Sequence, residues 1–260
     1  MDILSYLPTF LLIFMRMTGL FILSPVFGER NVPAYIKIGM SFFMAVILLN
    51  VMPLERIDLA DNILLYALML VKELLIGLSI GYITTLAFSA ILVAGQIADF
   101  QIGFGMVNVF DPMSNISVPI VGNLVNIVAL LLFFGMNAHH VLISILFNSY
   151  KALPIGKFSF EPEIFWYILA VFTQTFIWGI ELAIPLIAVL LLTEIMLAIL
   201  SRALPQMNVF VMGMPIRLII GLIMLMLMLP VYVDVMEPLF SDMFNYINGF
   251  MQRMMQLSGT

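Results

Sequence analysis

Apolar residues run along this chain in long blocks, separated by short breaks rich in proline and polar residues. Six blocks stand out: Leu7–Phe27, Ile36–Met52, Ile63–Ala98, Ile116–Tyr150, Ile164–Leu200 and Val209–Leu239. A helix needs roughly 20 residues to cross about 30 Å of hydrocarbon. The first block fits one crossing, and the second falls near the lower limit. Blocks three, four and five hold about 35 residues each, which at 1.5 Å per residue makes about 50 Å of helix. Such blocks must kink, fold back as tight hairpins or extend beyond the bilayer. Stop signals cluster near the block ends, at Pro25, Pro33, Pro53, Pro112, Pro119, Pro154, Pro162, Pro205, Pro230 and Pro238. No block alternates with the period of a strand. The pattern predicts an all-α, polytopic membrane-complex protein of long helical hairpins.

The end of the chain has another rhythm. Met243, Phe244, Ile247, Phe250, Met251, Met254 and Met255 fall on one helical face, and Asp242, Asn245, Asn248, Gln252, Arg253 and Gln256 on the other. The expected organisation is therefore one helical domain over 1–240 and an amphipathic tail over 241–260. With a single basic residue on its polar face, the tail is read as docking a partner through Phe244, Ile247, Phe250 and Met251 rather than binding anionic lipid.

Composition sharpens the class. Of 260 residues, 63% are hydrophobic and 10% charged, against about 45–50% and about 25% in soluble domains. A soluble globule of this length cannot bury so much apolar surface. A net charge of −5 from 15 acidic and 10 basic residues offers no basic patch for nucleic acid. The absence of cysteine excludes disulfides, thiolate metal sites and cysteine nucleophiles. The 22 methionines suit adaptable contact surfaces as well as plain core. Met1-Asp2-Ile3 lacks a basic leader, and no small-residue cleavage pattern follows, so Leu7–Phe27 reads as a retained first helix.

Charges lie in the middle of several blocks: Arg16, Lys72, Glu73, Glu181, Glu194 and Arg217. An unpaired charge at the centre of a membrane helix costs about 2.5–3.5 kcal/mol even on the lenient insertion scale. These six should be buried in pairs within the chain, against partner subunits, or beside water in a channel. Basic residues in the connections do not choose an orientation: Arg30, Lys37 and Arg202 on one side oppose Arg56, Lys151, Lys157 and Arg253 on the other. Gly77 and Gly81 form a small-xxx-small motif, which either lets two helices approach closely or marks a kink.

Catalytic constellations are scarce, and no enzymatic activity or cofactor is expected. His139-His140 has no Cys, His or carboxylate nearby in sequence to complete a metal site. Gly103-Phe104-Gly105 lacks the third glycine and preceding strand of a dinucleotide loop. The informative stretch is Gly95–Pro119, which has no Lys or Arg. It mixes glycines and amides with Phe100, Phe104, Met106, Phe110 and Met113. Irregular backbone at membrane depth survives only when buried in protein or lining a cavity. The stretch reads as an internal plug or constriction loop, the alternative being a loop merely packed on neighbouring helices.

Four stretches carry a family resemblance. They are Arg16 within FMRMTGLFILSP with the following Phe27–Pro33, Gly95-Gln96 through Phe110-Asp111-Pro112, Asn137-Ala138-His139-His140, and Glu194–Arg202 with Pro205-Gln206-Met207-Asn208-Val209-Phe210-Val211-Met212-Gly213-Met214-Pro215. Together they resemble the FliR family of the flagellar type III export gate, related to injectisome export proteins. The resemblance implies an inner-membrane subunit of the flagellar basal body. Such a subunit builds a protein-conducting gate with FliP-like and FliQ-like subunits, contacts an FlhB-like subunit and membrane lipid, and passes unfolded export substrates transiently. It also implies that Phe104, Met106, Phe110 and Met113 close the channel. In this sequence Asp99 stands where some relatives have uncharged residues, which leaves its role open. A reading from another class is a secondary transporter coupled to protons through Glu73, Glu181 or Glu194, although no convincing internal repeat supports it.

Overall fold

A computed structural model describes residues 3–25, 27–28, 32–51, 63–104, 119–156, 161–204 and 209–258. Among these residues every regular element is a helix: α1 (Ile3–Leu23), α2 (Ala34–Val51), α3 (Ile63–Ile102), α4 (Ile120–Gly135), α5 (Ala138–Ala152), α6 (Pro162–Ala203) and α7 (Val209–Ser258). Five helices have the length and apolarity to cross a membrane, or six if α4 and α5 form one broken span.

The element boundaries follow local chemistry. Pro162 occupies the first position of α6, where a missing N–H is harmless. Block four divides at Asn137, whose φ of 56° is left-handed and so cannot continue a helix. The proline signals at Pro230 and Pro238 were misleading, because α7 runs through both, as well as through Pro215. No break separates the sixth block from the tail. Membrane helices tolerate interior proline when neighbouring groups satisfy the freed carbonyls. Residues 95–102, expected within an irregular stretch, are helical, since α3 runs to Ile102.

The chain folds into two compact units. Unit 1 comprises Met1–Ala87, Asn137–Phe172 and Ser241–Thr260; unit 2 comprises Phe88–Met136 and Thr173–Phe240.

In unit 1, α1 presents one continuous face, Thr9, Leu12, Ile13, Arg16, Met17, Leu20 and Phe21, all fully buried. The spacing i, i+3, i+4, i+7 is that of a single helical stripe. This stripe packs on α3 at a glycine crossing. A Cβ on Gly19 would fall 2.6 Å from the Leu74 carbonyl oxygen, one on Gly81 would fall 3.0 Å from that of Leu20, and one on Gly77 would collide with that of Arg16. The motif at Gly77 and Gly81 is therefore a packing surface in an unbroken helix rather than a kink. At the neighbouring end, the Tyr66 hydroxyl donates to the Pro8 carbonyl at 2.9 Å.

The tail also belongs to unit 1. Met243, Ile247, Phe250, Met251 and Met254 are buried by this chain itself. The Tyr167 hydroxyl donates to the Tyr246 carbonyl at 2.8 Å, and the Arg253 guanidinium stands 4.4 Å over the Tyr167 ring. Ile247, Phe250 and Met251, expected to dock a partner, are thus buried within this chain, while Phe244 stays half-buried. In unit 2, Phe88, Phe133 and Phe240 form an aromatic core with ring centroids 5.3, 5.4 and 5.6 Å apart.

Candidate functional site

Two polar constructions stand out in this apolar chain, one in each unit. The first surrounds Arg16, which is completely buried. Its Nε donates to Glu73 Oε2 at 2.6 Å. One terminal nitrogen donates to Ser149 Oγ at 3.0 Å, and the other to the Leu153 carbonyl at 3.1 Å. The guanidinium also stacks over the Tyr150 ring at 4.1 Å, and the Tyr150 hydroxyl donates to the Ile13 carbonyl at 3.1 Å. The second oxygen of Glu73 accepts the Gly156 N–H at 3.1 Å, and the Ser149 hydroxyl donates to the Leu146 carbonyl at 2.6 Å. A buried ion pair survives only when its remaining donors and acceptors are met, and here they are. The cluster ties α1, α3, α5 and the turn after α5 into one body. Sequence reading found Arg16 and Glu73 but missed Ser149, Tyr150 and Gly156. A Ser-Tyr pair inside an apolar helix was the available signal.

The second construction lies at the base of the 103–118 stretch. Asp99, in the last turn of α3, is almost fully buried. Its two carboxylate oxygens accept the backbone N–H groups of Val121 at 2.9 Å and Gly122 at 3.2 Å. Helix α4 starts at Pro119, which supplies no side-chain cap. Asp99 therefore caps α4 from another helix, placing a negative charge where orphan donors and the helix dipole favour it. Gly95 makes the approach possible: a Cβ there would collide with the Gly122 Cα. One residue beyond Ile102, Gly103 turns the chain out of α3 with φ of 107°, a conformation that glycine accepts readily.

Beside this exit lies a cleft of about 450 Å³, lined by Ile102, Gly103, Met214, Pro215, Arg217, Leu218 and Ile219. Met214 and Pro215 end the signature run of the sequence. Arg217 donates from its terminal nitrogen to Glu194 at 2.9 Å, with Glu194 largely exposed and Arg217 about a quarter exposed. Close packing holds α7 here, because a Cβ on Gly221 would fall 2.7 Å from Ile102 Cγ1.

The other expected residues scatter. Phe104 is half-buried at the edge of the described chain, whereas Met106, Phe110 and Met113 lie outside the described residues. Lys72 is half-buried on α3. Glu181 was expected to be buried and is exposed on α6. The rings of His139 and His140 lie 4.0 Å apart in the first turn of α5. Among the described residues no group of three His, Asp or Glu side chains gathers in a way that suits a metal ion.

A family model described as bacterial export proteins, family 1, matches residues 7–243. The chain belongs to that family. The flagellar biosynthetic protein FliR of Bacillus subtilis (strain 168) is 36% identical over 244 residues, covering 92% of this chain and 93% of the relative. The protein of the same name in Escherichia coli (strain K12) is 30% identical over 244 residues, with 94% and 93% covered. A Yersinia pestis relative, Yop proteins translocation protein T, is 33% identical over 162 residues, 62% of each chain. The family match spans the Arg16 cluster, the Asp99 cap and the Glu194–Arg217 pair alike.

Proposed function

We propose that this chain is a structural and gating subunit of the flagellar type III protein export apparatus. It joins FliP-like and FliQ-like subunits in a protein-conducting gate in the bacterial inner membrane, with an FlhB-like neighbour. The stretch over 104–117 helps seal that gate, with Phe104, Met106, Phe110 and Met113 excluding water as hydrophobic constrictions do. The observation that carries this reading is similarity to flagellar relatives along almost the whole chain.

Geometry supports it in two ways. A proton-coupled transporter needs a carboxylate that gains and loses its proton with access to solvent. Glu73 is held between Arg16 and the Gly156 N–H with 1% exposure, which makes it a structural anchor. The Asp99 cap ties the last turn of α3 to the first turn of α4, the two described elements that flank the stretch read as the seal.

The test is complementation. Expressed in a flagellated bacterium lacking its own FliR, the chain is expected to restore motility and to co-purify with FliP-like and FliQ-like subunits in mild detergent. A chain present in the membrane at normal level that restores no motility and brings down neither subunit overturns the reading. The Yersinia relative supports a second reading, as an injectisome gate subunit. Rescue of injectisome secretion without rescue of motility would favour it.

A further inference from the structure

Helix α6 carries an exposed stripe within unit 2: Thr173, Ile177, Ile180, Glu181, Ile184, Ala188, Leu191 and Ile195. Only Glu181 on it is charged. It lies near the middle of a 42-residue helix, and Ile177, Ile180 and Ile184 around it are each about half exposed. Glu181 makes no ion pair or hydrogen bond with any described residue. A second acceptor at the same place has lost its helical donor. Pro185 stands four residues later inside the helix and has no N–H to give the Glu181 carbonyl. A carboxylate and a carbonyl without its helical donor are thus presented together near the middle of a long helix, in an apolar surface. Hydrocarbon cannot supply either with a donor.

We propose that this stripe is a docking surface for an apolar transmembrane helix of another gate subunit that carries an arginine or lysine at matching depth. The inference rests on the gate reading above and adds its contact. The cation of the partner meets the Glu181 carboxylate, and its remaining N–H groups reach the carbonyl that Pro185 leaves without its helical donor. Arginine fits best, because its fork of five donors serves two acceptors at once. The isoleucines on either side pack against the partner helix and keep water from the pair.

The chain has no cysteine, so Ile184→Cys creates a unique thiol. A benzophenone maleimide attached there, in membranes containing the assembled complex, is expected to form an adduct with another membrane subunit next to a basic residue. Glu181→Leu should lower adduct yield by at least about tenfold, since removing one partner strands a buried charge. Glu181→Gln, which keeps an acceptor, should lie between. To separate a lost contact from misfolding, charge exchange is the second arm: Glu181→Arg combined with Glu at the mapped basic position should recover the adduct. Three results overturn the proposal: adducts with lipid only, a thiol freely labelled by water-soluble maleimide in the assembled complex, or a subunit adduct indifferent to all three substitutions. If the chain still co-purifies with gate subunits, only the docking surface falls. If it co-purifies with none, the gate reading falls too.

Discussion

Replacing Arg16 with methionine removes the centre of the unit 1 cluster while keeping an unbranched side chain. The Glu73 carboxylate, 1% exposed, then keeps only the Gly156 N–H at 3.1 Å. The fully buried Leu153 carbonyl loses its donor. Breaking a buried pair by removing one partner costs about 3–5 kcal/mol, and Glu73→Leu should cost a similar amount by stranding the guanidinium. If the two losses were independent, the double variant would lose about 6–10 kcal/mol. It should lose less, because no charge is left without its counter-ion. What remains unmet is the Leu153 carbonyl and the Gly156 N–H, at about 1–3 kcal/mol each. The double variant therefore loses about 2–6 kcal/mol, and the pair couples by roughly 4 kcal/mol. The assay is thermal unfolding of the detergent-solubilised chain, followed by circular dichroism and by survival of the monomer peak. At about 2–4 °C per kcal/mol, each single change should lower the midpoint by roughly 6–20 °C. A double variant as damaged as the sum of the singles would refute the reasoning. So would a Glu73→Gln chain that folds normally yet loses export, since that would make Glu73 a working group rather than an anchor.

Three further outcomes follow from named contacts. Asp99→Ala removes two hydrogen bonds to a charged acceptor and should destabilise the start of α4 by about 2–4 kcal/mol, seen as faster hydrogen exchange at the Val121 and Gly122 amides. Asp99→Asn should recover about half of the protection, and unchanged exchange in both variants would exclude the cap. Gly77→Ala drives a methyl into the Arg16 carbonyl and should cost about 1–3 kcal/mol, whereas Gly39→Ala, with open space around it, serves as the neutral control in thermal unfolding. Glycine at both Phe110 and Met113 should make the assembled gate leaky to small ions in planar-bilayer conductance, and conductance equal to wild type would count against the seal.

Much of this fold could be read from the chain, and most of the failures share one cause. Long apolar runs announce helices, and small residues spaced by four announce a close crossing, because both signals are local. Arg16 and Glu73 were also legible as ions that need company, yet they lie 57 positions apart, and nothing in the interval names one as the partner of the other. Asp99 was opaque for the same reason: it caps a helix that starts 21 residues later, so no capping pattern exists to be recognised. The tail shows the limit most clearly. Its amphipathic face required a cover, but periodicity does not say whether that cover is a second protein or the same chain, which buries Met243, Ile247, Phe250 and Met254 here. The proline signals failed for a different reason. The breaking power of proline is calibrated in water, and α7 carries three of them inside one 50-residue helix.

The Asp99 cap also bears on how such a chain evolves. One carboxylate, Asp99, joins the last turn of α3 to the first turn of α4 through two backbone amides. Because the acceptor is a side chain and both donors are backbone amides, the side chains of Val121 and its neighbours can drift while the joint is kept. The corner between the two helices thus depends on one inherited residue identity, and a lineage that loses the carboxylate must find other acceptors for two buried amides.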